Sequence, residues 1–276
     1  MMMTFSLHNS CPPNGAAEPI DFSGCDSHQA CEPAREEFHL LREKLKIPNI
    51  EKIIERPRIS ALLRKSQDQF PATLVSGRAG TGKTALAASF ASLYENVSWY
   101  SVESTDIEWP AFSQYFSASL SGTECGSLIS ADANVYEKDA SKNEISRLML
   151  KHFFHTDTIP TGESSLIVLD DIHHIFDAAW FGDFFHLLLY SLPAETHLLL
   201  LCRSKPPSPL WRLRSKQMLN VLDEKVLAFT LPETEALFDG MGLSAFLAQK
   251  AHRQCFGRIS KLLQFAEDFS TISTHL

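Results

Sequence analysis

Gly77, Gly80, Gly82, Lys83 and Thr84 stand in the pattern G-x-x-x-x-G-K-[ST], the spacing of a loop that holds phosphate. Glycines there let the backbone take conformations closed to other residues, so that successive N–H groups point inward at a phosphate chain. A helix starting near Lys83 adds the positive end of its dipole. On this reading Lys83 lies on the β- and γ-phosphates and the Thr84 hydroxyl on Mg²⁺. The plain alternative is a Gly-rich turn between a core strand and a core helix, and a second, acidic motif lowers its weight.

That second motif is Asp170-Asp171, which closes the run Ser165-Leu-Ile-Val-Leu-Asp-Asp. Its apolar residues do not alternate with polar ones, which implies a strand buried on both faces, as in a parallel sheet covered by helices. Ligands of such sheets bind at the carboxyl ends of the strands, so Asp170 is the expected second holder of the Mg²⁺. Asp171 either polarises an attacking water as general base or caps a following helix expected to run to about Tyr190. Repulsion between adjacent acids favours the base. His173 and His174 read as packing and capping groups without chemistry. The apolar run from His197 ends in Arg203, which is placed to contact a γ-phosphate and report its loss; an ordinary surface ion pair is the alternative.

The elements that must position these groups follow from the pattern of apolar residues. A first strand is expected at Ala72 to Ser76, and the helix after the loop should group Leu86, Phe90 and Leu93. Before the strand, Ile59, Leu62 and Leu63 mark one side of a helix, and Arg35 to Leu45 could form a short helix ahead of Pro48. A second strand is expected from Asn96, ending in the polar group Glu103 to Asp106, then a helix near Pro110 to Leu120. A loop follows over Ser121 to Ser141 and a helix over Asn143 to His155. Val226 to Phe229 reads as the fifth strand, and Thr230-Leu-Pro-Glu233 as a capping box that starts a helical segment broken at Gly240 and Gly257.

Composition bounds the rest. The chain has 276 residues, 44% hydrophobic and 21% charged, enough for one large α/β domain with a small appendage. No apolar run is long enough to span a bilayer and Met1 to Ser10 lacks a signal-peptide layout, so a cytoplasmic protein without membrane contact is expected. The net charge of −8 argues against broad attraction to nucleic acid. Cys202 lies in an apolar run as a small buried thiol. Cys11, Cys25, His28 and Cys31 can be drawn as a metal site, but their spacing fits no standard finger. No Lys or Arg precedes Arg35, and residues 1–34 read as a weakly acidic, flexible tail. Residues 35–229 are the expected P-loop domain and 230–276 a helical lid.

With both motifs placed, the order of elements resembles the STAND class of P-loop ATPases. More narrowly, it is similar to the ATPase module of the large ATP-binding LuxR-type transcription regulators of the maltose-activator group, over about residues 50–266. Arg56-Pro57-Arg58-Ile59 looks like that family's Arg-Pro-Arg-Leu segment, which implies that Arg56 lies near an adenine. Val97 to Val102 with Asp106 and Phe112 is similar to the family's second strand and next helix, and Leu169 to His173 to its Leu-Asp-Asp-Tyr-His block, with Ile172 in place of tyrosine. Arg203 to Pro207, Leu210, Arg212, Leu213, Leu227 to Phe229 and Glu233 follow its run from sensor arginine to fifth strand. The likeness gives the basic cluster Arg203, Lys205, Arg212, Arg214 and Lys216 an internal role near the nucleotide. Gly257-Arg258-Ile259 stands where the family has Gly-Trp-Pro, and the family's helical repeat sensor and helix-turn-helix are not expected within this chain.

The resemblance implies an α/β fold with a five-stranded parallel sheet in the order 5-1-4-3-2, helices on both faces and a short C-terminal lid. ATP or ADP would contact Arg56, Gly77, Arg78, Ala79, Gly80, Thr81, Gly82, Lys83, Thr84 and Ala85. Thr84 and Asp170 would hold Mg²⁺, and Lys83, Asp171 and Arg203 would act on the phosphates. The leading expectation is a slowly hydrolysing regulatory switch with a protein partner or self-association and no direct nucleic acid contact. The competing ones are a non-hydrolysing scaffold, a small regulator in a cell-division or DNA-linked complex, and a small-molecule kinase, which the paired acids and sensor arginine fit poorly.

Overall fold

The computed structural model describes residues 41–50, 54–120 and 164–274. Contacts divide the chain after His39 into two units, and all of these residues lie in the second. The expectations for the tail, for Ser121 to Ser141, for Asn143 to His155 and for the four N-terminal Cys and His residues fall outside them.

Five parallel strands form one sheet. They are β1 (Ala72–Ser76), β2 (Asn96–Ser101), β3 (Ser165–Asp170), β4 (Thr196–Cys202) and β5 (Leu219–Leu222), side by side in the order β2-β3-β4-β1-β5. That is the expected order read from the other edge. β1 pairs with β4 on one side, Val75 beside Leu201, and with β5 on the other, Val75 beside Leu222. The sheet is apolar on both faces because each strand sends alternate residues to opposite sides. From β3, Leu166 and Val168 join Ile59 and Leu63 of α1 (Pro57–Gln69) and Leu86 and Phe90 of α2 (Lys83–Ala91). Ile167 and Leu169 join Phe112 and Phe116 of α3 (Trp109–Leu120) and Phe184 and Phe185 of α4 (Phe181–Ser191). Helices therefore cover both faces, as expected for unalternated strands.

The expected fifth strand is displaced. Val226 to Phe229 is not a strand: Asp223 accepts the N–H groups of Lys225 and Val226 at 3.1 Å each and starts the single helical turn α6 (Glu224–Leu227). The strand is instead Leu219–Leu222, just after α5 (Ser208–Ser215). Leu93 also departs from expectation, because α2 ends at Ala91 and leaves Leu93 52% exposed. The helix expected from Asp171 to Tyr190 is a 3₁₀ turn, Ile172–Ile175, followed by α4.

Three more helices, α7 (Leu231–Asp239), α8 (Ala245–Cys255) and α9 (Ile259–Thr274), enclose a separate apolar cluster around Phe229, Phe238, Ala248, Ala251 and Leu262. The capping box before α7 is present: Thr230 N donates to Glu233 Oε2 at 2.8 Å and Glu233 N to Thr230 Oγ1 at 3.4 Å. No helix among the described residues is long and apolar enough to cross a membrane.

Candidate functional site

The phosphate loop joins β1 to α2 and lies at the carboxyl end of the sheet. Gly80 and Gly82 have φ of 77° and 83°, the left-handed region that favours glycine, so the loop's last two glycines stand where the backbone needs them. Thr81 Oγ1 donates to the Arg78 carbonyl at 2.9 Å and Gly77 N to the Cys202 carbonyl at 3.1 Å, which fixes the loop to itself and to β4.

The two acidic positions reach this loop from β3. Thr84 Oγ1 donates to Asp170 Oδ2 at 2.8 Å, and Asp171 N donates to Asp170 Oδ1 at the same distance. Burial pushes the Asp170 carboxyl up, against the Thr84 bond that pulls it down. A hydroxyl and a carboxylate side by side form a hard oxygen set of the kind Mg²⁺ takes, so these residues fit that ion. Lys83 is buried, with Nζ donating to the carbonyls of Gly77 at 2.7 Å and Arg78 at 3.1 Å. Burial pulls Lys83 down, and the field of Asp171 opposes it. A polyanion beside this ammonium would relieve that burial penalty.

Arg203 follows β4 and reaches Asp171. Its Nε donates to Asp171 Oδ1 at 2.9 Å and its Nη2 to Oδ2 at 2.5 Å. Asp171, with φ of 55°, stands before the 3₁₀ turn, and its side chain makes no capping bond there. His173 packs against His174 with ring centroids 4.2 Å apart, and burial, then His174, holds it below the usual histidine range.

Arg56 bonds to the segment between α6 and α7. Its Nη1 donates to the Leu227 carbonyl at 2.7 Å and its Nη2 to Ala228 and Glu233, while the guanidinium lies 4.0 Å from the Phe229 ring centre. Arg58 joins it on Glu233 and Ala228. The pair thereby ties α1 to the segment that leads into α7. The basic cluster divides: Arg203 is at the site, whereas Arg212, Arg214 and Lys216 are exposed on and after α5, and Arg212 and Lys216 line a surface groove against α4. The internal role expected for them is not seen.

Sequence reasoning missed three contacts on the loop. Glu224 takes Arg78 in a bidentate pair, with Nη2 to Oε1 at 2.7 Å and Nε to Oε2 at 3.0 Å. Arg258 Nη2 donates to the Ala79 carbonyl, and Ser260 N to the Gly80 carbonyl at 3.2 Å. Gly257 has a φ of 71° and sits so close to the Phe229 backbone that a Cβ would collide with it. The only sequence signal for this turn was the glycine itself. Among the described residues no cluster of three or more His, Cys, Asp or Glu could hold a metal.

Strand order, loop and strand-end acids together are those of a P-loop ATPase fold. The HTH-type transcriptional regulator MalT of Serratia proteamaculans is 27% identical over 217 residues, 78% of this chain and 23% of that protein. The chain resembles the MalT-type regulators. MalT of Vibrio parahaemolyticus is 28% identical over 188 residues, 67% of this chain and 20% of its own. The chain thus spans less than a quarter of the length of these relatives. No protein-family model matches it. Among solved structures, the Walker-type ATPase PABY2304 of Pyrococcus abyssi is similar at 13% identity and a TM-score of 0.49, over 80% of this chain and 69% of that one.

Proposed function

We propose that this chain binds ATP and hydrolyses it slowly, as the nucleotide-driven switch of a signalling or transcription-regulatory protein. The observation that carries the reading is the 2.8 Å bond between Thr84 and Asp170, 86 positions apart, which brings the loop hydroxyl and the strand-end carboxylate to one point. The regulatory part of the reading comes from the likeness to MalT, through its matched segment alone.

In this reading the loop N–H groups and Lys83 bind the phosphates, with Arg78 to Ala85 lining them, and Arg56 and the Phe229 turn lie toward the base. Thr84 and Asp170 hold Mg²⁺, which when bound neutralises charge on the phosphate oxygens. Asp171 takes a proton from water as the water oxygen bonds to the γ-phosphorus and the bond to the ADP oxygen breaks; Arg203 offsets charge on the γ-oxygens. Helices α7 to α9 act as a lid, since Arg258 and Ser260 bond to loop carbonyls. Loss of the γ-phosphate alters the contacts that favour one lid position over another.

A second reading has one observation in its favour. Asp171 is bonded to Arg203, and a carboxylate so engaged is a poor base, which suits a scaffold that holds nucleotide, assembles with a partner protein or with itself, and barely turns over. One experiment separates the two: phosphate release from Mg-ATP by wild type, Lys83→Ala and Asp171→Asn, with bound nucleotide extracted from each. Release by wild type alone, with ATP still carried by Asp171→Asn, supports hydrolysis. Nucleotide carried without release by any of them supports the scaffold.

A further inference from the structure

Two groups that both have work at a γ-phosphate are bound to each other. The Arg203 guanidinium faces the Asp171 carboxylate fork to fork, through Nε to Oδ1 at 2.9 Å and Nη2 to Oδ2 at 2.5 Å. The carboxylate is shielded, at 20% exposed, and the arginine is half in solvent, at 51%. Asp171 therefore has little water to exchange for its partner, whereas Arg203 can leave for another anion. His173 Nδ1 lies 3.7 Å from Asp171 Oδ1, beyond hydrogen-bonding reach, and does not compete for the same oxygen.

We propose that Asp171 and Arg203 are an exchange pair. The γ-phosphate displaces the carboxylate from the guanidinium, and that displacement frees Asp171 to act on water. The idea rests on the ATPase reading above and deepens it, because it says what keeps the site idle without substrate. Before ATP enters, base and arginine neutralise each other. A γ-phosphate offers the planar fork terminal oxygens of higher charge than a carboxylate, and the pair opens. ADP has no γ-phosphate and leaves it closed. The site tells the two nucleotides apart by the state of one ion pair, and part of the binding energy of the γ-phosphate goes into opening it.

A specific consequence follows for affinity. Removing the charge at position 171 leaves Arg203 waiting for the phosphate, so ATP binds more tightly and ADP does not. The gain disappears when Arg203 is absent. Direct repulsion between Asp171 and the phosphate would also make the 171 variant bind more tightly, but it would do so with or without Arg203.

The test is a double-mutant cycle. Equilibrium affinities of the Mg²⁺ complexes of ADP and of the β,γ-imido analogue of ATP are measured for wild type, Asp171→Asn, Arg203→Ala and the double variant. Thermal melting confirms that each is folded, and Asp171→Ser replaces Asp171→Asn if the latter is not. The expected result is a gain of about fivefold to tenfold for the ATP analogue in Asp171→Asn, a change under about twofold for ADP, and a gain under about twofold on removing Asp171 from Arg203→Ala. Arg203→Lys, which keeps the charge without the fork, should show a gain between the two. An equal gain with and without Arg203, a gain shared by ADP, or no gain overturns the exchange. Wild type that binds neither nucleotide, with Lys83→Ala no different, overturns the ATPase reading itself, a result distinct from two bound nucleotides and no coupling.

Discussion

The backbone N–H of Ser260 donates to the carbonyl of Gly80 at 3.2 Å, which makes the first turn of α9 a wall of the phosphate loop. A Cβ added at Gly80 would collide with the Ser260 side chain, and its φ of 77° is strained for any other residue. Gly80→Ala should therefore lower stability by about 1–3 kcal/mol, read from equilibrium denaturant unfolding. Adding Ser260→Gly should return the part due to the collision and leave the part due to backbone strain. Full recovery would mean that the dihedral costs nothing here.

Arg258 holds the other end of the same contact through the Ala79 carbonyl. Arg258→Ala removes a partly exposed, charge-assisted bond, of order 1 kcal/mol, between α9 and the loop. If the helical segment acts as a lid, release of a fluorescent ADP should speed up about fivefold, with little change in the rate of entry. An unchanged release rate would show that α9 does not retain nucleotide.

Lys44 is buried with its ammonium 2.8 Å from Asp106 Oδ1 and 2.9 Å from Glu103, over the ring of Tyr115 at 4.5 Å. Burial pulls the ammonium down, but the bonds from Asp106 and Glu103 outweigh it and leave it above the usual lysine range. Lys44→Met keeps the stem and strands the buried Asp106 carboxylate, at a cost of about 3 kcal/mol. Asp106→Asn together with Lys44→Met should restore much of that. The readout is denaturant unfolding of the single and double variants.

His197 is buried in β4, with Nε2 2.9 Å from Thr73 Oγ1, and Thr73 continues to Ser66 and Ser66 to Asn220. Burial pulls its imidazole from 6.5 to about 4. The unfolded chain then binds the extra proton first, so this contribution is whole above pH 6.5, declines as pH falls and is gone below about pH 4. The amount at stake is about 3 kcal/mol. His197→Gln should flatten that part of the stability–pH curve, measured by urea unfolding from pH 7 to 4.5.

The strands β1, β3 and β4 could be read from the chain because unbroken apolar runs between Gly, Ser and Asp have few other uses. β5 could not. Asn220 lies within it and looks foreign to a core strand, yet its Oδ1 accepts from the neighbouring Val221 N and its Nδ2 donates to Ser66 Oγ, a partner that only the fold supplies. Val226 to Phe229 looked better for a strand on composition, and Asp223 overrode it by capping a helical turn. The loop, Asp170 and Arg203 were visible because motif and strand end place them. The partners Glu224, Arg258, Ser260 and Lys44 were not, since each acts on a residue at least 59 positions away with no local pattern to mark it.

The strand order has a consequence for how the protein is made. β1 is interior, but its neighbours are β4 and β5, so its first partner arrives about 120 residues later and its second later still. During synthesis the phosphate loop exists long before the strands that pair with β1, and Arg258 follows Ala79 by 179 positions. Pairings that span so much chain close slowly, and until they do an apolar strand has both edges bare. The nascent chain thus has its longest exposure to misassociation between the emergence of β1 and that of β5, and the described site is whole only once α9 has left the ribosome.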